Sequence, residues 1–290
     1  HDYILVCPNY VMLDGSGNLC DACLDGHFGN CLKRKCVKGS TAKSGMAMLE
    51  AEYLKLRGSY KKIDRIVAPS QFMREKLLEG GFPAQQVVYM QNFAKQEILD
   101  NAADGTDRTD WDNPYLLFFG RLSSEKGVDV LVDAFIKDLP SLPAKLRLVI
   151  AGDGPERQNI EEKIAAAGAV ASDRIELVGF QSSADMQRHA EKASLAIASS
   201  RWRENMPYSI VEAFASGTPV IGSEIGGIPE LVVEGQTGLT CKPGDVDSLS
   251  QAILRGARLI ENHEAYAAMQ ANCRSYVLER CSQEKYMKDL

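Results

Sequence analysis

The sequence predicts an α/β chain whose larger part is a doubly wound domain on a parallel sheet. Three observations predict it. From residue 115 onward, short and continuously apolar runs alternate with amphipathic stretches. Those runs lack the in-and-out alternation of a half-exposed strand, so they read as strands covered on both faces by helices. A polar break at 93–114, centred on Asp104-Gly105-Thr106-Asp107, separates this regular region from a less regular beginning and reads as a linker.

The elements follow in order. Residues 1–43 are irregular, rich in Gly, Cys and Asn. Residues 44–59 read as a helix, because Met46, Leu49, Tyr53 and Leu56 share one face. A short strand at 63–70 turns at Pro69 and Ser70 into a helix closed by Gly80 and Gly81, and 87–90 is a second short strand. Beyond the linker, strands are expected at 115–119, 146–151, 175–178, 195–198, 219–222 and 239–241. Helices are expected at 128–137, 156–167, 183–189, 208–215, 228–232 and 246–260. Two last helices, 264–277 and 282–290, have no strand after them and read as a packing tail. In such a fold the ligand crevice lies at the carboxyl ends of the strands.

Composition narrows the function. The chain has 290 residues, 45% hydrophobic and 25% charged, enough for one large domain or two modest ones. A formal net charge of −6 argues against wholesale nucleic-acid binding. No apolar run approaches the ~20 residues that cross a bilayer, and the expected location is the cytoplasm. Charge is unevenly spread, however. Between Lys33 and Arg65 there are ten Lys or Arg against Glu50, Glu52 and Asp64. Such asymmetry points to an anionic partner, and peripheral docking on the inner face of a membrane is the expectation set against a merely solvated helix face.

Five of the eight cysteines fall in the first 36 residues. Cys20, Cys23, Cys31 and Cys36 offer four thiolates for a structural tetrahedral zinc, with Cys7 and His27 in reserve; disulfides and free thiols are the alternatives.

Three loops carry candidate chemistry. Arg121 and Lys126 follow the strand that ends at Phe119, just ahead of a helix, where a doubly wound fold binds anions. Gly152-Asp153-Gly154 occupies an equivalent place but lacks the three-glycine dinucleotide fingerprint, which argues against hydride transfer; its glycines read first as turn formers. The segment 199–212, Ser-Ser-Arg-Trp-Arg-Glu-Asn-Met-Pro-Tyr-Ser-Ile-Val-Glu, is the most informative. Pro207 suits a first helical turn and Asn205 a cap before it. Glu204 then lies in the loop and Glu212 inside the helix, with free amides near Met206, Pro207 and Tyr208 facing an anion such as pyrophosphate.

Taken together, Arg121…Lys126, the E-x7-E pair Glu204…Glu212, the A-x-G-T-P-V-I stretch ending at Ile221 and the G-G-I-P-E turn ending at Glu230 resemble the retaining nucleotide-sugar glycosyltransferases of family four. The resemblance covers residues 115–260 and rests on the combination. It implies a GT-B fold: a donor domain at 115–277, a partial N-terminal acceptor domain at 1–92 and a tail at 278–290 crossing back to it. It also implies roles. Arg121 and Lys126 stabilise the leaving nucleoside diphosphate, Glu212 holds the ribose hydroxyls, and Glu204 contacts the donor sugar. The amides around Asn205, Met206, Pro207 and Tyr208, of which Pro207 itself has no N–H to donate, bind phosphate or sugar, and Gly179 lies beside the base. His1, in His1-Asp2-Tyr3, resembles a histidine that faces the donor sugar, which places the start of the acceptor domain before it. No metal or other cofactor is implied for catalysis. The implied reaction moves a sugar from a nucleoside-diphosphate sugar to a glycan or lipid-linked acceptor in polysaccharide or glycolipid synthesis. A donor-binding fragment without transfer is the alternative, and a GT-B sugar-nucleotide epimerase a weaker one.

Overall fold

The computed structural model describes residues 2–289, which divide into two compact units: 2–92 together with Trp202–Met206, and Phe93–Arg201 together with Pro207–Asp289.

The first unit holds helices α1 (Gly29–Lys33) and α2 (Thr41–Leu56), strand β1 (Ile66–Ala68), helix α3 (Gln71–Glu79) and strand β2 (Val87–Tyr89). The strands pair in parallel, Ile66 opposite Val87. A right-handed crossover needs a helix between them, and Ser70 starts it by accepting the Met73 amide on its Oγ at 3.1 Å. Met73 and Leu77 on α3 are buried with Tyr3, Val6, Met12, Ile66 and Val87. A second small core gathers Cys23, Phe28, Cys31, Cys36 and Ala51.

Helix α2 forms where periodicity places it, but its apolar stripe does not face this core. Met46, Leu49, Tyr53 and Leu56 are 72%, 64%, 56% and 84% exposed, while Ser44 and Ala51 are the buried positions. Periodicity identifies a common face; small residues let the opposite face approach α1 and the cysteine-rich segment.

The second unit opens with α4 (Gln96–Asp104), which occupies part of the stretch expected as a linker. It then runs β3 (Tyr115–Phe119), α5 (Val128–Asp138), β4 (Arg147–Ala151), α6 (Arg157–Ala166), α7 (Ala169–Arg174), β5 (Ile175–Gly179), α8 (Ser183–Lys192), β6 (Leu195–Ala198), α9 (Tyr208–Ala215), β7 (Val220–Ser223), α10 (Ile228–Leu231), β8 (Gly238–Cys241), α11 (Val246–Glu261), α12 (His263–Arg280) and α13 (Gln283–Asp289). All six strands are parallel, in the order β5-β4-β3-β6-β7-β8.

Strand alternation divides the core between the two faces. Leu116, Phe118, Leu148, Ile150, Leu195 and Ile197 pack on one side with α5, α6 and α11 residues such as Leu131, Phe135, Ile160 and Ile253. Tyr115, Leu117, Val149 and Ala151 face the other side with Ala190 and Ala193 from α8 and its end. Each fully buried Leu, Ile or Phe contributes about 1.5–3 kcal/mol relative to exposure, so this two-sided core fixes the sheet. At its amino end the Tyr266 hydroxyl donates to the Ser194 carbonyl at 2.6 Å, and Trp111 packs edge-on against the same ring. The tail helix α13 is grouped with the second unit, where Tyr286 meets Phe93 at 5.1 Å. Among the described residues, no helix is long and apolar enough to cross a membrane.

Candidate active site

The strand order places a topological switch at the centre of the sheet. The chain winds outward through β3, β4 and β5, then returns to lay β6 on the other side of β3 and winds outward through β7 and β8. The loops after β3 and β6 therefore leave the sheet in opposite directions and open a crevice at the carboxyl end. Arg121 and Lys126 lie in the first of these loops.

That loop is braced from both sides. Its start is tied to the next strand's loop, with Gly120 N donating to Ala151 O and Leu122 N to Asp153 O, both at 3.0 Å. The approach is so close that a Cβ at Gly152, where φ is +142°, would lie 1.9 Å from the Gly120 carbonyl oxygen. The G-x-G motif thus has a packing reason in the loop that carries Arg121. The end of the loop is held by the chain after β6. Ser199 Oγ donates to Lys126 O at 3.0 Å, Arg201 N to Glu125 O at 2.8 Å and Arg201 Nε to Ser124 O at 2.8 Å. Arg201 also pairs with Asp129 at 3.2 Å. Arg121 is left exposed, and its guanidinium engages no described side chain; Lys126 is half-buried.

Two uncapped helix ends converge on the same edge of the sheet. Helix α5 starts from Gly127, at φ +66°, and α9 from Pro207, and neither receives a side-chain cap. Their first-turn amides are free to meet an anion. Pro207 itself is the N-cap of α9, so the expected capping role of Asn205 is not realised. The cause is positional: an N-cap side chain reaches the amides two or three residues on, and Asn205 lies two residues before the cap.

Glu212, within α9, is half-buried and lines a cavity of about 380 Å³ with Lys95, Asn101, Phe119, Ser183, Gln187 and Ser216 among others. Burial pushes its carboxyl above the ordinary value, partly offset by Lys95. An isolated buried carboxylate is costly, so a ligand offering hydroxyl donors would relieve it. Gly179 ends β5 with φ +70°, and Phe180 next to it is 84% exposed.

Residues 106–276 match the family model described as "Glycosyl transferases group 1". The chain belongs to the group 1 glycosyl transferases. The lipopolysaccharide 1,2-N-acetylglucosaminetransferase of Salmonella typhimurium is 32% identical over 211 residues, 69% of this chain and 55% of that protein. The alpha-D-kanosaminyltransferase of Streptomyces kanamyceticus is 29% identical over 161 residues, 56% of this chain and 40% of that protein. The chain thus spans about half the length of these relatives. Among solved structures, Anabaena HepE in complex with UDP matches with a TM-score of 0.66 and 22% identity, covering 78% of this chain and 62% of that one. A glycosyltransferase from Rickettsia africae matches equally, with a TM-score of 0.66, 22% identity and the same coverage. These likenesses show the fold, that of the GT-B glycosyltransferases.

Within this group 1 glycosyl transferase, the expected site residues separate into two sets. Arg121, Lys126, Pro207, Tyr208, Glu212 and Gly179 lie in the second unit, at or just beyond the carboxyl ends of β3, β5 and β6. Glu204, Asn205 and Met206 are buried and belong to the first unit, although they lie in sequence between β6 and α9. There the Met206 sulfur accepts the Asn92 amide at 3.1 Å. His1 lies outside the described residues. Sequence reasoning missed Arg201, whose backbone-directed guanidinium has no motif to announce it, and the cavity partners Lys95 and Phe119, which are distant from Glu212 in sequence.

The expected zinc ligands Cys20, Cys23, Cys31 and Cys36 do gather, with Cys7, around one narrow cavity of the first unit. None of the eight cysteines is in a disulfide. Among the described residues no group of three or more His, Cys, Asp and Glu is arranged so that it could hold a metal ion. His27 is at the surface with Asp25, 2.8 Å away. Burial first, and neighbouring cysteines second, push the Cys23 thiol up to about 12. Cys31 is likewise raised to about 12, by burial and then by Cys36.

Proposed function

We propose that this protein is a retaining, metal-independent glycosyltransferase of family four. In this reading it transfers a sugar from a nucleoside-diphosphate sugar to a glycan or lipid-linked acceptor in cell-surface polysaccharide or glycolipid synthesis. The observation that carries the reading is the switch-point edge of the sheet. An unengaged Arg121, Lys126 and two uncapped helix ends there form a cationic seat for a pyrophosphate, and the cavity of Glu212 is sized for a nucleoside. The uridine nucleotide bound by HepE and the lipopolysaccharide-directed activity named for the Salmonella relative support this donor and acceptor class.

The chemistry assigned to the residues is electrostatic. As the glycosidic bond to phosphate breaks, negative charge grows on the diphosphate. Arg121, Lys126 and the amides of Val128, Tyr208 and Ser209 stabilise that charge without a divalent ion. Glu212 accepts the ribose hydroxyls, and Glu204 and Asn205 hold the donor sugar. Proton NMR of the product formed in the presence of EDTA tests the reading: an axial linkage from an axial donor is expected, whereas an equatorial linkage or a requirement for metal overturns it. The second reading is donor binding without transfer, which the same pyrophosphate seat and Glu212 cavity would serve equally well. Nucleotide binding with no turnover in the presence of a competent acceptor extract would select it.

We also propose a cytoplasmic location with peripheral contact at an anionic membrane face. The exposed stripe Met46, Leu49, Tyr53 and Leu56 supports it, with exposed Lys33, Arg34, Lys35, Lys38, Lys43, Arg57, Lys61 and Lys62 nearby in the same segment. Sedimentation with phosphatidylglycerol vesicles at low salt, lost at 0.5 M salt, is expected on this reading; no binding at low salt overturns it. The cysteine-held zinc remains a separate proposal, decided by elemental analysis of protein purified without chelator.

A further inference from the structure

Trp202–Met206 carries Glu204 and Asn205 and contains no regular structure of its own. Besides the Met206 sulfur, which accepts the Asn92 amide, Arg203 anchors it. Within the first unit, Arg203 Nη1 donates to Asp21 Oδ1 at 2.5 Å and Nη2 to Asp21 Oδ2 at 2.7 Å, a two-pronged pairing of guanidinium and carboxylate. The Arg203 side chain is only 12% exposed. Its guanidinium carbon lies 5.7 Å from the Phe72 ring centre, and Nη1 lies 3.9 Å from the Met12 sulfur. Lys76 stands 3.8 Å from the same carboxylate. The Asp21 side chain is 44% exposed, and surface ion pairs contribute little energy, but a planar, bidentate pair on a guanidinium largely covered by protein fixes direction as well as distance.

Asp21 is itself set in a stiff frame. It sits in Cys20-Asp21-Ala22-Cys23, with the Cys20 amide donating to Met12 O at 2.9 Å and the Asn30 side chain donating to Ala22 O at 2.5 Å. Cys23, Cys31, Cys36 and Phe28 are buried behind it. The cysteine-rich segment, which the donor chemistry does not use, thus has a mechanical output at Asp21.

We propose that the Arg203–Asp21 pair is a clasp that fixes the loop bearing Glu204 and Asn205, and that Arg203 and Asp21 are positioning residues for transfer, with the cysteine-rich segment as their support. This rests on the reading of Glu204 and Asn205 as donor-sugar ligands. The clasp orients the loop and leaves nucleotide binding to the second unit's residues. Breaking it therefore lowers turnover more than it weakens diphosphate affinity.

The chain has two tryptophans, so a Trp111→Phe background leaves Trp202, next to Arg203, as a fluorescent reporter of the loop. In that background Asp21→Asn and Arg203→Gln are expected to raise acrylamide quenching of Trp202 at least twofold. They should lower kcat at least tenfold, with the UDP dissociation constant changed less than twofold. The double variant should be no worse than the worse single variant, and Asp21→Glu should recover part of kcat. Unchanged quenching in Asp21→Asn, with UDP binding confirming a folded protein, overturns the clasp. If quenching rises but kcat does not fall, the positioning role is overturned. A Glu204→Ala variant that transfers at the unaltered rate overturns the reading of Glu204 instead.

Discussion

Removing both cations from the loop after β3 isolates the proposed pyrophosphate seat. Arg121→Ala deletes an exposed guanidinium that no described side chain engages, so the free protein loses no contact. Lys126→Ala removes a half-buried ammonium. Hydrogen bonds to charged groups contribute about 1.5–3 kcal/mol each. Exposure of Arg121 and partial exposure of Lys126 place both near the low end, because water and salt screen charges over about 8 Å at physiological ionic strength. About 1.5 kcal/mol each, roughly additive for two side chains that do not touch, gives about 3 kcal/mol. That corresponds to a UDP dissociation constant raised roughly 150-fold in the double variant and roughly tenfold in each single one. Isothermal titration calorimetry at fixed ionic strength measures it. The fold should be unaffected, since the loop is held by main-chain bonds at Gly120, Leu122 and Glu125. A double variant that binds UDP within twofold of the unaltered protein would place the pyrophosphate elsewhere.

Three further outcomes follow from other parts of the molecule. Glu212→Gln should weaken UDP binding about tenfold while slightly raising the melting temperature of the free protein. Because burial raises the folded-state pKa of Glu212, the folded protein holds a proton that the unfolded chain has released, and this group's penalty grows as pH rises through that window. A melting temperature that falls in the ligand-free variant would contradict it. Gly152→Ala should destabilise by more than about 2 kcal/mol, since φ is +142° and the added carbon would meet the Gly120 carbonyl; an unchanged thermal transition would show that the two loops separate freely. Of the eight cysteines, Cys20 alone is not buried, so a chromogenic disulfide reagent at pH 8 should find one fast thiol in the native protein. Four or more fast thiols would mean that the cysteine-rich segment opens readily.

The legible part of the fold was the sheet. Runs such as Tyr-Leu-Leu-Phe-Phe at 115–119 and Leu-Ala-Ile-Ala at 195–198 are apolar on both faces, and only strands covered on both sides need that. Their order was not legible, because a crossover from β5 to β6 leaves no mark in composition. Helix α4 escaped because only Leu99 and Ala102 of its nine residues are buried, so a polar sequence looked like a linker. The exposed stripe of α2 shows the converse: periodicity reports a face, and contacts decide whether it is covered. Among the candidate site residues, the positions of Arg121, Lys126 and Glu212 relative to the strand ends were legible. Arg203 was not, since its partner Asp21 lies 182 positions away. Of the two reserve candidates for the thiol cluster, Cys7 joins it, whereas His27 stays at the surface with Asp25.

The switch-point edge of the second unit is the proposed nucleoside-diphosphate site. A crystal structure of the protein with UDP tests it most directly. The pyrophosphate is expected against Arg121, Lys126 and the amides of Tyr208 and Ser209, with the ribose hydroxyls on Glu212. Nucleotide bound elsewhere, with that edge of the sheet occupied only by water at saturating UDP, would contradict it.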